Sequence, residues 1–419
     1  MARKLAAFLV LAVLGATLAS CVPQPGDDPF YKAPTEKPGG GNSPGGGPIN
    51  VGAAPGTLIR FRDSVFTQDP VNRTPVAGVD AYQVLYNSTS ASGISNVVSG
   101  TVLTPTTQWT GPGSRPMVTF GVGTRGLSDQ CAPSWTISTG WDYESAEYLE
   151  LLAHGWAVAI TDMVGLGTPG LHTYEVSREQ GTAVLDIARA AQQIPDIGLK
   201  ADGPIGIMGY SQGGSSAGWA AQLAATYAPE LNVKGTAASG VPADLIAVAN
   251  ALDGGPFVGL ALLAAAGYDA AYPELDLRSF LNDSGTEMLD RASSMCIVTV
   301  DGIRQLIDVA GKPISSFLKD PSRSPLTDPT WVGRMNENRL GAVAPSAPVM
   351  QQHALFDEMV AYPQAAELRD EWCSEGANIT WRTLFFAEHV LGLLQSFQPS
   401  VDFLAARFAD VPVKGDCPG

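Results

Sequence analysis

The chain has 419 residues, 45% of them hydrophobic, enough for one large α/β domain with insertions or for two ordinary domains. Lys and Arg number 25 against 41 Asp and Glu, a net charge of −16, which repels phosphate backbones and excludes nucleic acid as an expected partner. Beyond that, acidity implies only a well-solvated surface.

Residues 1–20 read as an export signal and stand outside the fold. Arg3 and Lys4 form its positive end, and Leu5 to Thr17 form an apolar stretch too short to serve comfortably as a mature span. Leu18-Ala19-Ser20-Cys21 has the form of a bacterial lipobox, in which the Cys21 thiol takes a diacylglyceryl group and becomes the new N-terminus. The alternative is an ordinary secretory signal with a chance cysteine. Lipidation at Cys21 predicts an exported protein anchored to the outer face of the cell membrane, or released from it to the envelope or medium. Residues 21–56 are rich in Pro and Gly and are expected to be a flexible tether.

The body runs over residues 57–419. Residues 81–89 and 95–105 read as a hairpin-like start, and "PMVTFGVG" (116–123) as a buried strand closed by glycines. "AEYLELLAHG" reads as a helix ending at Gly155, "WAVAITD" (156–162) as a strand, and residues 177–194 as a helix. "PIGIMG" (204–209) is a further buried strand with a helix after it. "VKGTAASG", "APVMQQHA" and "NITWRTLFF" (378–386) supply the late strands. This alternation predicts an α/β fold with a mostly parallel sheet flanked by helices. Across 241–340 the strands stop and apolar helical pieces follow one another, which predicts a helical cap inserted between late strands.

The pattern G-x-S-x-G occurs at Ser43, Ser211 and Ser216. Ser43 lies in the tether beside Pro44, and Ser216 lies inside the helix that Ser211 opens. Only Ser211 follows a buried strand and begins a helix, the setting of a nucleophile elbow, with Gly209 and Gly213 keeping the turn free of side chains. A serine hydroxyl needs a base, itself oriented by an acid, and on this architecture the order is serine, acid, histidine. Of four histidines, His154 and His172 precede Ser211. His353 precedes the candidate acid Asp357, so His389 is the expected base; the adjacent Glu358 is the alternative acid. Asp370 and Glu371 fall on an amphipathic helix. Two backbone N–H donors are needed for the oxyanion, from Gln212 and from either Thr124 or Arg125. Five cysteines include Cys21; the other four predict two disulfides in an oxidising compartment. No Cys/His cluster suggests a metal, and no cofactor is expected.

The stretches "GTRGLSDQCAPS" (123–134), "ITDMVGLGTPGLHTY" (160–174), "GYSQGG" (209–214), "HALFDEMVAY" (353–362) and "AEHV" (387–390) resemble, in order, the secretory lipase family of fungi and actinobacteria. The resemblance implies an α/β-hydrolase fold, cleavage of carboxylic esters, and a triad on Ser211, Asp357 and His389. It also implies the pairing Cys131–Cys296 and Cys373–Cys417, the first pinning cap to body. The lipobox departs from the many freely secreted relatives.

The expected function is therefore an extracellular serine carboxylic-ester hydrolase, lipase or esterase, acting as a monomer on acyl esters through an acyl-enzyme. The same residues would serve an acyltransferase of the cell envelope. A substrate-binding lipoprotein and a catalytically dead hydrolase fold are the non-enzymatic alternatives. The apolar run "GGPFVGLALLAAAGYDAAY" in the cap is expected to line the acyl pocket through Phe257 and Leu260, or else to pack the cap's own core.

Overall fold

The computed structural model describes residues 25–32 and 52–417; the export signal, Cys21 and Ser43 lie outside the described residues. Nine strands form one sheet: β1 (Leu58–Ser64), β2 (Val79–Thr89), β3 (Ser95–Pro105), β4 (Met117–Gly121), β5 (Ala157–Thr161), β6 (Pro204–Tyr210), β7 (Asn232–Ser239), β8 (Val349–Ala354) and β9 (Ile379–Leu384). Their order is β1-β2-β3-β5-β4-β6-β7-β8-β9. The pairs β1–β2, β2–β3 and β3–β5 are antiparallel, and every pair from β5 to β9 is parallel. Every residue of β4, β5 and β8 is buried. Their continuous apolar runs follow from helices lying on both faces.

Those helices are α1 (Pro133–Thr139), α2 (Ser145–Ala153), α3 (Ser177–Ala191), α4 (Gln212–Tyr227), α11 (Tyr362–Ser374) and α12 (His389–Phe408). Between β7 and β8 come α5 (Leu245–Leu252), α6 (Val258–Ala271), α7 (Leu277–Phe280), α8 (Asp283–Ala292), α9 (Val300–Val309) and α10 (Pro329–Glu337), the helical insertion expected over 241–340. Its apolar core is continuous with the body: Leu263, Tyr268 and Trp331 of the cap pack with Leu127, Tyr174 and Val176.

The reading of 21–56 as a free tether requires correction. Within it, residues 25–32 dock on the sheet. Phe30 and Tyr31 are buried against Ile59 and Leu85, each burial contributing about 1.5–3 kcal/mol. Asp28 caps the short turn through Phe30 N–H and pairs with Arg62 at 2.6 Å. Tyr31 Oη lies 2.9 Å from Ser134 Oγ, and Gln83 Nε2 donates to it. Composition hides this strap because only Pro25, Phe30 and Tyr31 of it are buried.

Disulfides join Cys131 to Cys296 and Cys373 to Cys417. They close separations of 165 and 44 residues, worth about 4–5 kcal/mol each in the chain-entropy model. The first ties the cap to the loop after β4. Two backbone bonds reinforce it, from Leu127 N–H to Met295 O and from Ile297 N–H to Arg125 O, each 2.9 Å.

Candidate active site

Ser211 caps α4 at the end of β6, with φ 58° and ψ −124°. Such a backbone is strained for a residue with a Cβ and persists only where its surroundings enforce it. Packing enforces it here. A Cβ on Gly209 would meet Gly213 O at 2.1 Å, and one on Gly213 would meet Gly121 O at 1.9 Å. Ser211 N–H donates to Ser239 O of β7 at 3.0 Å. The turn therefore lifts the Ser211 side chain above the C-terminal edge of the sheet, where α/β folds place their ligands.

His389 opens α12 just after β9, and Asp357 lies in the loop after β8, so adjacent strands present both. His389 Nε2 lies 3.0 Å from Ser211 Oγ, and His389 Nδ1 lies 2.8 Å from Asp357 Oδ2. Since Asp357 can only accept when ionised, Nδ1 carries the proton and Nε2 is left free to accept one from Ser211. Asp357 Oδ1 is fixed by the N–H groups of Met359 and Val360. Burial acts to raise the Asp357 carboxyl, but the hydrogen bond and charge of His389, with His353 and Val360, outweigh it and hold it below the ordinary value. Glu358 makes a different contact: it accepts the backbone N–H of His389 at 3.1 Å. Tyr210 Oη donates to His389 O.

The other histidines occupy distinct places. His353 is buried, which lowers it against the pull of Asp357, and its Nε2–H donates to Val360 O at 2.8 Å. His172 is buried too, and burial lowers it to about 4. Its Nδ1–H donates to Val164 O, which leaves Nε2 to accept from Gln212 Nε2 at 2.9 Å. His172 thus anchors the residue that follows Ser211, a role that chain order alone does not reveal. Ser216 points into packing, donating to Gln180 Oε1 and Gln212 O. Glu371 pairs with Arg339 and Asp370 with Arg369, away from the site.

The loop after β4 is held rigid from below. The Arg125 guanidinium is buried between Asp142 and Glu144 and stacks over Tyr143 at 3.9 Å. Glu144 also accepts from Gly123 N–H, and Tyr143 Oη donates to Thr124 O. Thr124 Oγ1 lies 2.9 Å from Tyr174 Oη. The Arg125 side chain therefore braces the loop and leaves only its N–H, like that of Thr124, for a ligand.

An apolar cavity runs from Ser211 under the cap, with Leu260, Ala264, Tyr268 and Trp331 on one side and Tyr174 and Glu175 on the other. Leu260 lines it; Phe257 does not. Phe257 is the N-cap of α6, with φ −112° and ψ 18°, and packs with Leu260 and Ala261 against Val248, Leu252 and Val360, which themselves line the cavity, so it backs that wall. Helical spacing places 257 on the face of 260, 261 and 264, and it does pack with 260 and 261, but behind the cavity wall. The other flank of α6, through Val258 and Leu262, joins Val309 and Phe317 in the cap's own core. The apolar run thus both lines this cavity and packs the cap's own core.

Glu175, with φ 61°, is a buried carboxyl in this wall, with a 3.3 Å hydrogen bond from Ser215 Oγ. Burial pushes it up to about 8, and its bonds to Ser215 and Tyr174 offset this only in part. The folded protein keeps this proton where the unfolded chain, ordinary near 4.5, loses it. Stability from this group is complete below about pH 4.5, is lost as pH rises to about 8, and changes no further above. Each pH unit in that window weighs about 1.4 kcal/mol. Glu175→Gln keeps the shape without the titration, so its Tm should fall less steeply than wild type between about pH 5 and 8. Parallel melting profiles would show that the carboxyl is not held neutral.

A model of the secretory lipase family matches residues 130–415. A probable inactive lipase of Mycobacterium tuberculosis is 30% identical over 399 residues, covering 93% of this chain and 83% of its own. A secreted triacylglycerol lipase of Malassezia furfur, LIP2, is 28% identical, covering 95% and 82%. Among solved structures, Candida antarctica lipase A in its closed state superposes with a TM-score of 0.79 at 26% identity, covering 95% of this chain and 89% of that one. The chain belongs to the secretory lipase family. Among the described residues, no helix is long and apolar enough to cross a membrane, and no group of three His, Cys, Asp or Glu could hold a metal ion.

Proposed function

We propose that this member of the secretory lipase family is an exported serine hydrolase that cleaves acyl esters through an acyl-enzyme on Ser211. The observation that carries the reading is the hydrogen-bonded chain from Ser211 Oγ through His389 to Asp357. His389 Nε2 takes the hydroxyl proton as Oγ attacks the ester carbonyl, then gives it to the leaving alcohol. Water repeats the sequence to release the acid. The Gln212 N–H and one N–H from Thr124 or Arg125 would bind the oxyanion, and His172 would keep Gln212 in place. The mycobacterial relative's name calls it probably inactive, but here all three side chains are present and within bonding distance. Cys21 would carry the lipid that holds the enzyme at the outer face of the membrane.

Hydrolysis rates for esters of increasing acyl length test the reading, with an added alcohol to reveal acyl transfer. Leu260→Trp should shift preference toward short acyl chains with short-ester turnover largely intact, whereas Phe257→Trp should leave the profile unchanged. Wild-type chain-length profiles for both variants would remove the cavity from substrate binding, and transfer dominating hydrolysis would favour the acyltransferase.

A further inference from the structure

Four large apolar side chains stand in solvent around the loops that present Asp357 and His389. Phe356 is 62% exposed, Phe385 61%, Phe386 87% and Leu394 69%, with Leu391 beside them. The topology gathers them. β8 and β9 pair with Ala354 opposite Leu384. Beyond the strands, Leu355 N–H donates to Leu384 O and Phe356 N–H to Ala387 O, so Phe356 lies beside the Phe385–Phe386 turn. Leu391 and Leu394 follow on the first turns of α12, three residues apart and so on one face. Phe386 has φ 62°, a backbone that bulky residues rarely adopt, and that turn carries the most exposed aromatic of the patch.

We infer that this apolar rim is the surface by which the protein seats itself on a phospholipid bilayer. Burying large apolar side chains that a fold leaves in water is what drives a protein onto such an interface. Position identifies the occupant. The rim sits at the C-terminal end of the parallel strands, the end that carries Ser211. The docked strap reaches the same end: Gly26 and Asp27 line one surface pocket with Leu127, Ser128, Asp129 and Leu171, in the loops after β4 and β5. Cys21 is four residues before Pro25, within about 14 Å of it even when the chain is fully extended. A lipid on Cys21 would therefore hold this end, and not the opposite one, against the membrane; this step rests on the lipidation reading. The acidic neighbours of the rim are engaged within the protein. Asp357 bonds His389, Glu358 accepts the His389 N–H, and Glu388 accepts the N–H groups of Val390 and Leu391. These hydrogen bonds leave the carboxylates charged, so they give the rim no electrostatic pull toward a lipid surface; seating rests on the apolar side chains and does not weaken as salt rises.

The test uses the mature full chain with Cys21→Ala, which removes the lipid and leaves the rim alone. Sedimentation with phosphatidylcholine vesicles should recover this protein at low and high salt alike. Adding Phe386→Asn, which tolerates the left-handed backbone, and Leu394→Gln should lower the partition coefficient at least tenfold. Turnover of a soluble short ester should stay unchanged, which separates failure of the rim from failure of the catalytic reading. Equal partition of both forms, or no vesicle binding by the Cys21→Ala chain, would overturn the proposal. So would loss of self-association in the rim variant without any change in vesicle binding, because the occupant would then be a second copy of the chain.

Discussion

Ser211→Ala should lower kcat/KM for a soluble ester on the order of 10⁵–10⁶-fold, the scale lost when the nucleophile of such a unit is removed. The fold should survive, because the elbow is shaped by what Gly209 and Gly213 lack and not by the hydroxyl. Alanine keeps the same Cβ in the same strained backbone, so Tm should stay near wild type or rise slightly as the site relaxes. Circular dichroism and thermal unfolding check that half of the expectation. A fluorophosphonate probe followed by peptide mapping checks the other, with the label expected on Ser211 in wild type and absent from the variant. Ser216 is the competing serine, but its hydroxyl is buried against Gln180 and the Gln212 carbonyl. Label on Ser216, or an Ala variant that keeps full turnover, would end the nucleophile assignment.

The site's spine was legible because several weak constraints intersect. A strand–turn–helix setting selects one of three serines, and chain order then removes three of four histidines. What order removes, however, it can also hide. Chain order sets His172 aside because it precedes Ser211, yet it holds the Gln212 side chain. Glu175 lies in the same loop region and carries no catalytic pattern. A topological signal existed: both follow β5, whose C-terminal end lies beside β4 next to the site. The strap at 25–32 escaped for a different reason. Composition averages over a window, whereas docking here depends on Phe30 and Tyr31 meeting a groove beside β1 and β2 that only the folded sheet provides. β1 itself is weak in sequence because Arg60 and Arg62 interrupt it. As an edge strand it pairs only with β2 and turns those charges to the strap, where Arg62 pairs with Asp28 and both guanidiniums lie over Phe30. Phe257 shows the limit of periodicity, since a face can be projected correctly without telling which of its residues meets the cavity and which packs behind it.

Asp357→Asn should lower kcat by about 10⁴-fold with the geometry intact, whereas Glu358→Gln should cost only a few-fold. The two neighbours differ in what they touch. Asp357 Oδ1 accepts from Met359 and Val360 N–H, and Oδ2 faces His389 Nδ1. An asparagine can keep the first pair only by leaving its Oδ1 there, which turns its NH₂ toward the imidazole. That NH₂ is a donor, so His389 Nδ1 must become the acceptor and the ring proton moves to Nε2. An imidazole protonated at Nε2 presents N–H to Ser211 and cannot take the hydroxyl proton. Catalysis is lost through the tautomer, with every heavy atom in place. Glu358 accepts a backbone N–H that opens α12, and a glutamine oxygen does the same, so only a charge near the helix N-terminus is lost. Steady-state kinetics on one soluble ester separate the cases, with fluorophosphonate labelling of Ser211 slowed in Asp357→Asn and near normal in Glu358→Gln. If the large loss fell on Glu358→Gln, the acid would be Glu358, and the 2.8 Å contact between Asp357 and His389 would be only a packing neighbour of the working unit.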